Sequence, residues 1–153
     1  MEVIISSNSF GSHLHGGQYE ASSDSGSFPA WCAEQTQYLQ LGKPITYVVI
    51  DGTEAWGSQE SAALDRLMSW AIGNGYPTTV YQNDAIQTDI WAILSGGTGE
   101  IDSSNSPITQ HAMLLHNDLK QDLLMTQPIG EPNPLPLMLF GLAMVAIYKE
   151  IKP

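Results

Sequence analysis

Short apolar segments separated by turn residues dominate the first third of the chain. Val3–Ile5, His13–His15, Gln18–Ala21 and Ser27–Glu34 are predicted strands, and the β-branched and aromatic run Ile45–Ile50 gives the clearest strand pattern. Gly, Ser, Asn and Asp residues separate these segments, as expected for turns. The N-terminal half is therefore predicted to form an antiparallel, barrel-like β-sheet.

The pattern becomes helical in the second half. Apolar residues from Leu64 to Ile72 recur at spacings of three and four, behind Ser58 as a candidate N-cap. A second helix is predicted from about Asp84 to Ser95, and a third begins at Ser106 and carries an apolar stripe from Ile108 to Leu119. Strands followed by helices, without β–α alternation, indicate an α+β fold in which the sheet packs against about three helices.

The end of the chain has a different character. A proline-rich segment precedes an uninterrupted apolar run at Leu135–Tyr148, and lysines follow it. As a helix this run spans ~21 Å of the ~30 Å hydrocarbon core of a bilayer, and ~26 Å if it continues through Ile151. Its length alone favours a buried core helix, whereas its position behind a proline-rich linker favours membrane contact. We therefore divide the chain into a domain at 1–125, a linker at 126–134 and an apolar sorting or membrane helix at 135–153.

This tail resembles the PEP-CTERM sorting signal of exported Gram-negative proteins. Glu131 and Pro132 match the core of that signal, although Gly130 stands where the first proline is usual, and an apolar helix with basic residues follows. The resemblance implies an exosortase as processing partner, membrane contact through the C-terminal helix, and localisation at the cell surface, the outer membrane or the extracellular matrix. Met1–Ser6 lacks the features of a signal peptide, so we expect a processed chain, a different start, or a tail that is not a sorting signal.

Composition narrows the functional classes. The chain carries 16 acidic and 5 basic residues, a net charge of −11, which argues against nucleic acid as a partner. Only 14% of residues are charged, and Ser, Thr, Gln, Asn and Gly are abundant, as on extracellular surfaces. Cys32 is the only cysteine, so no internal disulfide is expected. His13 and His15 have no acidic or thiol partner at ligand spacing, and we predict neither a metal nor a cofactor.

Cys32 and Gln87 are the candidate reactive pair. Gln87 lies on the apolar stripe of the second predicted helix, and a buried carboxamide needs partners because an unsatisfied one costs ~1–3 kcal/mol. If the two side chains meet, the Cys32 thiolate can attack Gln87, release ammonia and leave an internal thioester, which an amine can open later. Trp31, Trp91, Asp89 and Glu34 would form the wall of this site, and the tryptophans would exclude water.

The same pairing resembles the thioester, or TQxA, domains of bacterial surface adhesins, with a cysteine on an early strand and a glutamine at a later helix start. The stretch 86–91 keeps the glutamine, isoleucine and tryptophan of that motif. It has Ile86 in place of threonine and Asp89 in place of alanine, and Asp89 would place a charge beside the site. The resemblance covers about 28–94 and implies a covalent adhesin, not an enzyme, that captures amines on a surface protein or polysaccharide. An apolar setting raises the pKa of a cysteine, so Glu34, Asp89 or a histidine must assist the thiol.

The same residues also fit other functions. If Asp84 is the N-cap of the second helix, Gln87 is its partner in a capping box. Cys32 can equally serve as a small apolar residue of the core. The chain would then be a structural PEP-CTERM protein of the extracellular matrix that binds without a covalent bond. A cysteine-dependent enzyme is the third hypothesis, although no protease signature surrounds Cys32.

Overall fold

The computed structural model describes residues 1–8, 16–35 and 39–129. Within them, seven strands and three helices follow one another in this order: β1 (Glu2–Asn8), β2 (Gln18–Ser23), β3 (Gly26–Cys32), β4 (Pro44–Thr46), β5 (Val48–Asp51), α1 (Gly52–Trp56), α2 (Ser58–Gly73), α3 (Val80–Leu94), β6 (Gln110–His116) and β7 (Leu123–Pro128). No helix in these residues is both long enough and apolar enough to cross a membrane. The predicted strand His13–His15 and the predicted tail, with Glu131 and Pro132, lie outside the described residues.

All seven strands form one antiparallel sheet in the order β4-β1-β2-β3-β7-β6-β5. Its two edge strands, β4 and β5, are separated along the chain only by Tyr47, so the sheet curls back and is nearly closed. This confirms the predicted α+β fold, a barrel-like antiparallel sheet with helices packed against it.

The predicted third helix is wrong, because residues 110–116 form β6. This strand pairs with β5 on one side and β7 on the other. Both of its faces are covered, since Ala112 lies in one apolar core and Leu115 in another. A strand buried on both faces carries a nearly continuous apolar run instead of an alternating pattern. The two ends of the predicted stripe, Ile108 and Leu119, are exposed.

Three other boundaries differ from the predictions. The segment 45–50 is split into β4 and β5 by Tyr47, whose side chain is buried. The predicted strand ends at Ile50, whereas β5 includes Asp51, which is also the N-cap of α1 and accepts a hydrogen bond from Thr53 N at 2.8 Å through its carboxylate. Finally, β7 extends to Pro128, so the sheet continues past residue 126, the predicted start of the linker.

The sheet separates two apolar cores. On one face, α2 and α3 cover residues that include Trp31 and Leu124, and we call this the helix-side core. On the other face, the curled sheet encloses an inner core that includes Ala21, Ala30 and Leu123. Adjacent residues of β3 therefore face opposite sides, as the pleat of a strand requires. The end of β3 lies at the boundary between the helices and the sheet, and the candidate site is built there.

Candidate functional site

Gln87 lies well inside α3, beyond its first turn. The helix begins at Val80, and its N-cap is Thr79, whose hydroxyl accepts a hydrogen bond from Gln82 N. The capping-box hypothesis, with Asp84 as N-cap, is therefore wrong. The side chain of Gln87 instead reaches the end of β3 and is fully buried there.

Three hydrogen bonds hold the Gln87 carboxamide to main-chain groups. Its Nε2 donates to Cys32 O at 2.8 Å, and its Oε1 accepts from Cys32 N at 3.1 Å and from Gly17 N at 2.9 Å. The last pair of the β2–β3 ladder is Gln18 with Trp31, so Gly17 and Cys32 would form the next pair. The carboxamide is inserted at this position and continues the ladder between the two strands. The structure thus brings Gln87 to the main chain of Cys32.

The Cys32 thiol is almost completely buried, with 1% exposure. Burial raises the pKa of Cys32 to about 12, although a hydrogen bond with the Tyr19 side chain acts in the opposite direction. Tyr19 lies on β2 opposite Ala30, and no sequence motif marked it as a site residue. Nearby, the pKa of Tyr47 is raised to about 12, first by its burial and then by the charge of Asp122. The Cys32 thiol is therefore protonated at neutral pH.

The two predicted wall tryptophans lie in different surroundings. A Cβ atom built on Gly16 would lie 2.9 Å from the Trp91 ring and 3.1 Å from Gln87 Cγ, so both side chains pack close to Gly16. Trp31 is fully buried in the helix-side core. The indole Nε1 atoms of both tryptophans are buried without a hydrogen-bond partner in the described part of the chain. Of the two tryptophans, Trp91 is thus the one that shares Gly16 as a close neighbour with Gln87.

The two predicted carboxylates also differ. Asp89 is buried, but its oxygens accept hydrogen bonds from Glu100 N and Ile101 N, each at 2.8 Å. The Asp89 carboxylate therefore organises the loop that follows α3. Glu34 lies two residues beyond Cys32, and its Oε2 is buried without a partner among residues 1–8, 16–35 and 39–129. Glu34 remains the predicted carboxylate that could assist the thiol.

Asn83 lies one turn before Gln87 on the same face of α3 and was not among the predicted site residues. Asn83 is fully buried, and its Oδ1 accepts a hydrogen bond from Gln18 N at 2.7 Å. Gly17 has a φ of +113°, and a Cβ atom there would lie 2.3 Å from Asn83 Nδ2. A signal was available, because two carboxamides four positions apart lie on one helix face.

The two described histidines are paired with aspartates. His111 lies between two carboxylates, with Nε2 2.8 Å from Asp51 and Nδ1 3.1 Å from Asp65. Burial lowers the pKa of His111, but the hydrogen bonds and charges of the two aspartates outweigh it and raise the pKa. The pKa of His116 is raised chiefly by its hydrogen bond to Asp122. Among the residues that the structure describes, no group of three or more His, Cys, Asp or Glu could hold a metal ion.

A cavity of about 480 Å³ lies away from this site, between α2, the end of α3 and the loop at 96–104. Arg66 and Asp89 line it, whereas Cys32 and Gln87 do not. The Cys32–Gln87 contact is therefore a buried junction of main chain and side chain that is separate from this cavity.

Comparisons with known proteins give no match: no family model, no curated protein and no solved structure matches the chain. The similarity to thioester domains therefore rests on the cysteine–glutamine motif, and the similarity to PEP-CTERM proteins rests on the residues of the tail.

Proposed function

We propose that this chain is a thioester-forming binding domain, in which Cys32 and Gln87 form an internal thioester that captures an amine on a partner. The observation that supports the proposal most is the attachment of the buried Gln87 carboxamide to the main chain of Cys32 by two hydrogen bonds. A third bond, from Gly17 N, gives Oε1 two N–H donors. Donors in this arrangement stabilise the negative charge that develops on a carbonyl oxygen during acyl transfer.

The proposed reaction has two steps. In the first, Cys32 Sγ attacks Gln87 Cδ, the Sγ–Cδ bond forms and the Cδ–Nε2 bond breaks. The nitrogen leaves as ammonia and carries away the thiol proton. In the second, the nitrogen of a primary amine attacks the same carbon, the Cδ–N bond forms and the Sγ–Cδ bond breaks. The departing sulfur takes a proton from that amine and becomes the Cys32 thiol again, and the amine nitrogen remains as the new amide of Gln87. The N–H groups of Gly17 and Cys32 serve the same oxygen in both steps.

The thiol needs activation, because a cysteine with a pKa of about 12 is almost entirely protonated at neutral pH. The Tyr19 hydrogen bond favours negative charge on the sulfur. Glu34 is the proposed proton carrier, which takes the thiol proton and passes it to the leaving nitrogen. It follows Cys32 by two residues, and its buried Oε2 has no partner in the described residues. Trp91 limits the access of water to the thioester. Formation is expected to be slow, which suits a protein that reacts once rather than an enzyme that turns over.

The setting of the proposed reaction is the cell surface. The acidic composition with few charged residues supports export, as does the PEP-CTERM-like tail, with an exosortase as processing partner and membrane contact through 135–153. The partners would be amines on surface proteins or polysaccharides. A non-reactive matrix protein is the second candidate. The raised pKa of Cys32 favours it, and Gln87 would then serve only to continue the β2–β3 ladder.

Labelling with a biotin-linked primary amine tests the proposal. The native protein is incubated with the amine and digested, and mass spectrometry locates the label. We expect label on Gln87 in the wild type and none in Cys32→Ala. The Gln82→Ala variant is the matched control, because it removes a carboxamide from α3 that bonds only to Thr78 in the described contacts, and it should be labelled like the wild type. A wild-type chain that takes up no label would overturn the proposal in favour of the non-reactive protein.

A further inference from the structure

The main chain at residues 17 and 18 is attached to α3 by two side chains, not by one. Gln87 Oε1 accepts from Gly17 N at 2.9 Å, and Asn83 Oδ1 accepts from Gln18 N at 2.7 Å. Asn83 and Gln87 are four residues apart, so both carboxamides project from the same face of the helix. Both side chains have zero exposure, and water therefore does not compete for these bonds.

The backbone of Gly17 makes this double attachment feasible. In a regular strand, consecutive N–H groups point to opposite sides, so they cannot both reach one neighbouring helix. The φ of +113° at Gly17 turns the chain so that two consecutive N–H groups face α3. That conformation favours glycine, and a Cβ atom would also lie 2.3 Å from Asn83 Nδ2. Gly17 and Asn83 therefore fit each other closely.

We infer that Asn83 is a positioning residue for the Cys32–Gln87 reaction. By binding Gln18 N–H, it fixes the neighbouring peptide so that Gly17 N–H bonds to Gln87 Oε1. This inference rests on the proposed thioester function, and the Asn83 hydrogen bond that carries it goes to Gln18 N, not to Cys32 or Gln87. Without Asn83, Cys32 N–H would be the donor that remains on Oε1 among the contacts described here.

The expected effect is on the rate at which an amine opens the thioester. Loss of one donor from an oxyanion site slows acyl transfer by ~10²–10³-fold. Asn83 acts on the donor only through the main chain, so we expect Asn83→Ala to slow the methylamine reaction by ~10- to 100-fold. The Asn83→Asp variant keeps Oδ1 as an acceptor and should recover most of the rate.

The experiment compares the full chain as wild type, Asn83→Ala, Asn83→Asp and the matched control Gln82→Ala. Intact mass measured over time after addition of methylamine gives the rate of thioester opening. Hydrogen exchange gives the protection of the Gly17 amide, which a rate effect from an unrelated cause would not change. We expect slow opening and fast exchange of the Gly17 amide in Asn83→Ala alone. Where Asn83→Ala does not fold, Asn83→Ser, whose shorter side chain withdraws the acceptor from Gln18, takes its place.

The outcomes separate the two proposals. A wild type that lacks one ammonia, together with an Asn83→Ala variant that reacts equally fast, would overturn the role of Asn83 and leave the thioester function standing. Slow opening in Asn83→Ala without faster exchange at Gly17 would also overturn the positioning role. A wild type with its full mass and no reaction with methylamine would overturn the proposed function and the role of Asn83 with it.

Discussion

Replacing Gln87 with methionine tests whether its carboxamide holds the sheet and α3 together. Methionine has nearly the same volume as glutamine but cannot make these hydrogen bonds. A loss in the free energy of unfolding therefore reports the lost hydrogen bonds and not a large cavity. The change is best made in a Cys32→Ala background, because no thioester can form there. The main-chain N–H and C=O of residue 32, which bond to Gln87, are still present in that background.

The magnitude follows from the groups that lose a partner. Gln87→Met leaves three buried main-chain groups unsatisfied, the N–H of Gly17 and both the N–H and C=O of residue 32. Each such group costs ~1–3 kcal/mol. Even at the low end of that range the free energy of unfolding should fall by ~3 kcal/mol, a large share of the ~5–15 kcal/mol typical of a domain.

Urea unfolding followed by tryptophan fluorescence measures this difference. The control is Gln82→Met on the same helix, whose Oε1 accepts exposed hydrogen bonds from Thr78 N and Oγ1 at 2.8 and 2.9 Å. Exposed donors can form a hydrogen bond with water instead, so the free energy of unfolding of the control should fall by less than ~1 kcal/mol. If Gln87→Met lost no more than Gln82→Met, the reasoning about the buried carboxamide would be refuted.

Other features of the fold give further predictions. In urea titrations, Gly17→Ala should cost ~2 kcal/mol more than Gly26→Ala, because both glycines have positive φ but only at Gly17 would the new Cβ atom meet a buried side chain; equal losses would contradict the close packing. Asp89→Asn removes the charge that two loop amides share, so both amides should exchange at least ~10-fold faster with solvent, and unchanged protection would contradict that role. The pKa of His111 is raised in the folded protein, so its protonation stabilises the fold. This contribution is fully present below about pH 6.5, the ordinary pKa of histidine, and is lost as pH rises through the folded-state pKa, by at most ~1.4 kcal/mol per pH unit. Urea unfolding at a series of pH values measures this loss of stability, which should be smaller in His111→Gln.

Most of the sheet and the two long helices could be predicted from the sequence. The β-branched run at 45–50 and the apolar stripe at 64–72 keep the periods of a strand and a helix, and the structure has strands and a helix there. The strand β6 could not be predicted, because its two faces are buried by different cores and its apolar residues also fit helical spacing. Tertiary packing, which local sequence does not encode, decided this element.

The candidate site could be predicted only in part. The motif pointed to Cys32 and Gln87, and the structure brings the Gln87 carboxamide to the main chain at Cys32. The hydrogen-bond partner Gly17 could not be identified, because a main-chain donor leaves no side-chain pattern. The contact of Tyr19 with Cys32 depends on the register of β2 and β3, which only the folded sheet defines.

The intact mass of the natively purified chain tests the central claim most directly. The thioester account predicts a wild type lighter than its sequence mass by one ammonia, with that deficit absent in Cys32→Ala and in Gln87→Met. Methylamine should add to the wild type alone and should release a thiol that can then be alkylated. A wild type at its full calculated mass, with a Cys32 thiol that alkylates after unfolding without methylamine treatment, would contradict the account.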